Sequence, residues 1–266
     1  MTSFFDKMLA VFRRDWLTAI RYRSGFAVMA AGTLVELGSF FYLARAIGPG
    51  FRPNGIDYFG FLLVGTGLYT FLMMSVNSFL STIQEAQHTG TLEVLMTTPT
   101  PPAVLVFLSS VSALGRNLAQ FFLYMGVGLI LFHAPVRANL LGCVVIFLFV
   151  MMVATALGIF AAAIQVAIQR GSAAVWLLGS ALWFLTGTIF PVSSLPRPLQ
   201  KIATLVPITS LLDAMRRALL EGASWHELSP YIITMSMFAS ILLPLSLLTL
   251  SWTLRRARIS GTLSFY

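Results

Sequence analysis

Residues 139–166 read NLLGCVVIFLFVMMVATALGIFAAAIQV, without one charged side chain. A helix needs about 20 mostly apolar residues to cross the hydrocarbon core of a bilayer, and this run exceeds that length. No water is present in that core to satisfy peptide groups, so a continuous apolar run must close its own backbone hydrogen bonds as a helix. A membrane β-barrel would alternate apolar with polar positions instead. The stretch therefore predicts an all-α membrane protein. Within it, Ala154, Gly158 and Ala162 recur at four-residue spacing, which lets helix backbones approach closely. The single cysteine, Cys143, lies in the same run, has no intrachain disulfide partner and reads as a small hydrophobe.

Outward from this run, five more segments have span character: about 24–46, 57–82, 103–132, 172–191 and 231–254. The whole chain agrees, with 58% apolar and only 10% charged residues, where soluble domains carry about a quarter charged. The expectation is one unit of six transmembrane helices over 1–266. Gly60, Gly65 and Gly67 in the second segment do not keep a four-residue interval and read as points of local flexibility.

A net charge of +8 would suit nucleic acid, but the basic residues bracket the apolar runs, the pattern of lipid contact and topology signals. With six spans both termini share one side. That side holds Lys7, Arg13, Arg14, Arg21, Arg23, Arg170, Arg255, Arg256 and Arg258. The other holds Arg52, Arg137, Arg197, Lys201, Arg216 and Arg217. The positive-inside rule places both termini in the cytoplasm of a multi-pass protein of the cell membrane, bacterial inner or plasma membrane. Membrane lipid is the expected environment and nucleic acid is not a partner.

Three segments outside the spans carry information. Residues 1–23 place Phe5, Met8, Leu9, Phe12, Trp16 and Ile20 on one helical stripe among basic residues, which predicts an interfacial amphipathic helix. No uninterrupted apolar run follows the first residues as in a cleaved signal peptide. Residues 84–99, QEAQHTGTLEVLMTTP, form a cytoplasmic connector with Glu85 and Glu93 flanking Thr-Gly-Thr and an apolar face at Leu92, Val94, Leu95 and Met96. Gly90 suits a tight turn and Pro99 ends the segment. Residues 191–230 are cut by Pro191, Pro196, Pro198, Pro207 and Pro230 into pieces too short to span. They predict either a re-entrant hairpin or helices on the outer surface, the former preferred. One piece has Ser210 and Asp213 as an N-terminal box, a stripe from Leu211 to Leu219, Arg216 and Arg217 away from that stripe, and Gly222 as its stop.

Two charges lie inside spans, Glu36 in the first and Arg116 in the third, at comparable nominal depth. A charge at the centre of a span costs about 2.5–3.5 kcal/mol on insertion scales, so each needs a partner or a wet cavity. Mutual pairing, within or across subunits, is the expectation; separate polar neighbours such as Asn77, Gln120 or Gln165 are the alternative. Catalytic residues are not expected: His88, His133 and His226 are scattered, and no cluster has metal-ligand spacing. The only lysines, Lys7 and Lys201, do not follow glycine, so the chain has no Gly-Lys-[Ser/Thr] phosphate loop. An ATP-driven version must borrow its motor.

At this point the sequence resembles a known family. Residues 88–99, HTGTLEVLMTTP, are similar to the E-x-x-x-G-T-L-E-x-L-x-x-[TS]-P pattern of ABC-2-type permeases, the membrane subunits of ABC exporters, with Glu85 matched to the leading acid although it lies one position further upstream. Residues 187–222, GTIFPVSSLPRPLQKIATLVPITSLLDAMRRALLEG, resemble the family's second block: a Phe-Pro, a Leu-Pro, a Pro-[IL]-[ST], and an acid-x-x-Arg ending in Gly. The resemblance implies a homodimer of six-span subunits docked on separate ATPase subunits, which bind the ATP and Mg; no cofactor is implied for this chain. It assigns Glu85, Gly90, Thr91, Leu92, Glu93 and Pro99 to ATPase coupling through a short helix. It assigns Pro191, Pro196, Pro207, Asp213 and Arg216 to short re-entrant helices before span six. Many members carry basic residues just before Gly-Thr-Leu-Glu, where this chain has Gln87 and His88. The implied activity is export of an amphiphile such as a drug, lipid or glycan-linked lipid. An ATP-independent channel or secondary transporter is the alternative.

Overall fold

A computed structural model describes residues 23–90, 102–168 and 171–260. The interfacial stretch expected at 1–23, all but its last residue, lies outside the described residues, as do Thr91, Leu92, Glu93 and Pro99 of the connector. Every regular element among the described residues is helical. In chain order these are α1 (Arg23–Ile47), α2 (Tyr58–His88), α3 (Pro102–Ile130), α4 (Leu140–Ile168), α5 (Gly171–Leu185), α6 (Arg197–Leu205), α7 (Pro207–Arg216) and α8 (Trp225–Ser260). Short 3-10 turns occupy Pro53–Gly55 and Val192–Ser194, and a π turn, Arg217–Glu221, extends α7.

Four of these are long and apolar enough to cross a membrane: Ala27–Ile47, Tyr58–His88, Leu140–Ile168 and Trp225–Ile259. Helix α3 has 29 residues, whereas α5 has only 15. At 1.5 Å per residue α5 reaches about 22 Å, short of a hydrocarbon core of about 30 Å. The apolar run 172–191 predicted a longer helix. The chain leaves helical geometry at Thr186-Gly187, where Gly187 adopts φ +76°, a left-handed conformation that ends a helix at little cost.

Helix α2 is the axis of the subunit. In its most apolar window 83% of residues are buried, against 11% in α1 and 17% in α8. Its N-terminal half, Tyr58–Leu72, is apolar and buried on nearly all faces because it has neighbours around it: α3 and α4 pack along α2, α8 packs on α4, and α1 leans on that half. Its glycines make that crowding possible. A Cβ on Gly67 would collide with Met125 and Tyr124 of α3, and one on Gly65 with Thr188 and Arg216; Gly60 faces Leu220 at 3.3 Å. The flexibility expected at these three positions is corrected: they are contact points where neighbours use the space of a missing side chain. The small residues of α4 behave as expected, with Gly158 seated against the fully buried Phe79 ring of α2.

Caps fix the helix ends remote from the 84–90 connector. Asp57 accepts the Gly60 amide at 3.2 Å to start α2. Asn139 starts α4 by accepting the Gly142 amide at 3.1 Å, and its own amide donates to the Ala223 carbonyl at 2.9 Å, tying the α3–α4 loop to the π turn. Gly222 closes that turn at φ 68°, as expected of a stop residue, and the Arg137 carbonyl lies where its Cβ would stand. Ser224 and Glu227 form a capping box at the start of α8, with the Glu227 carboxylate accepting the Ser224 amide at 2.7 Å. Helix α8 therefore begins before Pro230, which does not break it. The His226 carbonyl, deprived of a backbone donor by Pro230, accepts the Ser229 hydroxyl at 2.8 Å. The N-terminal box expected at Ser210 and Asp213 is corrected as well. Helix α7 starts at Pro207, whose missing N–H costs nothing in the first turn, so Ser210 already lies inside the helix.

Candidate functional site

The residue that organises the broken segment is Arg216. It was expected off the apolar stripe; instead it is 1% exposed and points into the protein. Its Nε and Nη2 donate to the Phe61 carbonyl at 3.3 and 3.2 Å, and Nη2 donates also to the carbonyls of Gly187 at 2.9 Å and Thr188 at 3.0 Å. Nη1 lies 3.6 Å from Asp213 Oδ1, and the guanidinium carbon sits 3.4 Å from the Phe61 ring centroid. Burying a cation costs several kcal/mol. Hydrogen bonds to a charged group return about 1.5–3 kcal/mol each, and a desolvated cation–π contact about 2 kcal/mol more. Burial pushes the Arg216 guanidinium down to about 10, with Asp213 acting the other way, so the group stays a cation at neutral pH. One side chain thereby joins α2, the turn after α5, and α7. Pro191, buried, begins the 192–194 turn; Pro196 precedes α6; Pro207 opens α7. The matched residues Pro191, Pro207, Asp213 and Arg216 thus belong to one folded unit.

The opposite end of α2 carries the connector. Glu85 is exposed on its last turns, and the Thr89 amide and hydroxyl both donate to the Glu85 carbonyl, at 2.9 and 2.8 Å. Gly90 follows at φ +69°. The connector was expected to begin at 84 as a separate segment, but α2 continues through His88, because no helix breaker precedes Thr89-Gly90. Glu85 is thus rigidly continuous with the buried axis. Beside it, a ladder of amides links α2 to α4: Gln84 donates to Gln165 at 3.4 Å, and Gln165 donates to Gln87 at 3.1 Å. Gln87 and Gln165 are each 1% exposed, and the Gln87 amide nitrogen has no hydrogen-bond partner among the described residues.

Between these ends, α2 and α5 enclose a groove of about 510 Å³ lined by Met73, Met74, Asn77, Trp176, Trp183 and Phe184 among others. The Tyr69 hydroxyl donates to the Gly179 carbonyl at its edge. The lining is apolar and aromatic with the Asn77 amide among it, chemistry that suits an amphiphile.

Glu36 and Arg116 do not form an ion pair with each other in the subunit. Glu36 lies near the Tyr124 hydroxyl, which shares a hydrogen bond with Thr66 Oγ1 at 2.8 Å. Arg116 precedes Tyr124 on α3 by about two helical turns. Among the described residues no group of His, Cys, Asp and Glu has the arrangement of a metal site.

The sequence named Arg216 and Asp213 but not their partners. Phe61, Gly65, Gly187 and Thr188 lie far from them along the chain, and the three glutamines are divided between two helices. The only sequence hint was a run of glycines in α2 without regular spacing. No curated protein matches the chain significantly. A family model described as "ABC-2 family transporter protein" matches residues 45–248, about three quarters of the sequence, taking in the α2 axis, the groove and the Arg216 unit. The chain is a multi-pass membrane protein and belongs to the ABC-2 transporter family.

Proposed function

We propose that the chain is the membrane subunit of an ATP-driven exporter, working as a dimer with separate ATPase subunits that bind ATP and Mg. Family membership and the continuity of α2 support this reading, and the continuity carries it. At 31 residues α2 is about 46 Å long, one unbroken element from the Arg216 unit to Glu85. A push on the connector reaches the groove and the broken segment without crossing a hinge in that helix. ATP binding would close the ATPase dimer, the connector would carry that motion, and the groove between α2 and α5 would change its access. Nucleotide can do this only by favouring one of two arrangements.

Six spans complete the reading. Helix α3 is long enough to be the third, and α5 with the chain to Pro191 supplies the fifth. The segment from 191 to the start of α8 then lies re-entrant at the outer side, with both termini cytoplasmic. Glu85 and Glu93 dock on basic groups of the ATPase, with Gly90, Thr91, Leu92 and Pro99 shaping the contact. The groove favours an amphiphilic cargo carried outward.

The test is co-purification of the tagged chain from mild detergent, with ATPase activity assayed in the eluate beside a Glu85→Ala/Glu93→Ala variant. The expected outcome is an ATPase that the variant loses while its own elution profile is unchanged. A chain that purifies without ATPase activity in both samples would move the assignment to an ATP-independent channel or secondary transporter.

A further inference from the structure

A second cavity lies at the outer ends of α1, α2 and α3, away from the α2–α5 groove. It measures about 350 Å³, within the range of small-ligand pockets, and is lined by Phe41, Arg45, Asp57, Tyr58, Phe132 and His133 among others. Its walls are aromatic: Phe41 meets Phe132 at 5.2 Å and Phe59 at 5.4 Å between ring centroids, and Phe51 meets Tyr58 at 4.9 Å. His133 is held at φ 52°, one of two non-glycine residues in the left-handed region among the described residues.

The charges decide what fits. Arg45 and His133 make no ion pair or side-chain hydrogen bond among the described residues. Asp57 gives one carboxylate oxygen to the Gly60 amide and keeps its other oxygen for a second donor. A simple anion placed here meets the Asp57 carboxylate, and a simple cation meets Arg45. A ligand carrying both signs satisfies both. Phosphate suits the guanidinium fork of Arg45 and the imidazole N–H of His133, and an ammonium suits Asp57 together with the faces of the surrounding rings. The position matches as well, since the pocket opens where three apolar helices end, the level at which headgroups lie against aromatic residues.

We propose that this pocket binds a zwitterionic phosphate–ammonium group, in the membrane the headgroup of a phospholipid.

The experiment is native mass spectrometry of the delipidated full chain, titrated separately with dioctanoyl phosphatidylethanolamine, dioctanoyl phosphatidylglycerol and soluble glycerophosphoethanolamine. Arg45→Ala and Asp57→Asn serve as variants; asparagine retains the cap that starts α2. The wild type is expected to prefer phosphatidylethanolamine over phosphatidylglycerol. Arg45→Ala should weaken both lipids by about tenfold or more, as loss of a charge-assisted contact does. Asp57→Asn should weaken phosphatidylethanolamine alone and so erase the preference. If glycerophosphoethanolamine binds as tightly, with the same variant pattern, the zwitterion site stands and its source is a free headgroup, not a lipid. Equal or tighter binding of phosphatidylglycerol by the wild type, or variants that leave both lipids unchanged, would overturn the proposal.

Discussion

Arg216 presents three backbone carbonyls with a charged donor and stacks on the ring of one of those residues, Phe61. Replacing it by methionine preserves bulk but leaves the buried Gly187 and Thr188 carbonyls without their donor, each costing about 1–3 kcal/mol, and unpairs the part-exposed Asp213 carboxylate. Arg216→Met is therefore expected to lower the apparent melting temperature in detergent sharply. Arg216→Lys keeps the charge but loses the fork, so it should fall between wild type and methionine. A lysine variant as stable as the wild type would show that charge alone, not the fan of bonds, holds the segment. The glycines give a sharper contrast. Gly65→Ala puts a methyl group into the Arg216 guanidinium and the Thr188 carbonyl, and should cost about 1–3 kcal/mol by overpacking. Gly60→Ala meets only the flexible end of Leu220 at 3.3 Å and should be far milder. Thermal melts of the two variants side by side measure the difference.

At the scale of elements, the amide ladder is the fastening between α2 and α4 next to the connector. Removing one member leaves buried amides without partners, whereas replacing facing members together with apolar residues lifts much of that penalty. Gln165→Leu should destabilise by about 1–3 kcal/mol. Gln87→Leu should cost less, because its amide nitrogen lacks a partner among the described residues. The double variant should be more stable than the sum of the two, with a coupling of about 1 kcal/mol in a double-mutant cycle. Strict additivity would mean that the amides do not act as a unit. The same scale explains why α5 is short: its apolar run continues to Phe190, but Gly187 turns the chain back so that its carbonyl reaches Arg216.

For the whole molecule, topology is the property to test. In a Cys143→Ala background, Glu85→Cys should react with an impermeant thiol reagent only from the cytoplasmic side, and Lys201→Cys only from outside; both native side chains are exposed on the subunit. Reaction of both from one side would remove the re-entrant reading of the broken segment. The exposed apolar residues of α1 and α5 outside the groove, such as Val28, Val35 and Leu177, are surfaces left for lipid or a second copy.

The all-helical membrane character was legible in sequence because length and apolarity are summed along the chain: residues 139–166 need no tertiary partner to demand a helix in a bilayer. The break from Pro191 to Gly222 was legible for the same reason, since Pro191, Pro196 and Pro207 act on their own backbone and Gly222 stopped its helix where its local signal placed it, whereas Pro230 was taken up inside α8. Pairings across the chain were not legible. Whether Gly65 is a weak point or a contact depends on Arg216, and whether Arg216 is solvated or buried depends on Phe61, Gly187 and Thr188, some 28 to 155 positions away. Glu36 likewise meets Tyr124, a neighbour that no count of depth along a span selects. Hydropathy and backbone breakers are local sums and survive in one dimension. A buried cation, an amide ladder or a pocket exists only once distant segments share a space, and that was decided by the packing around α2.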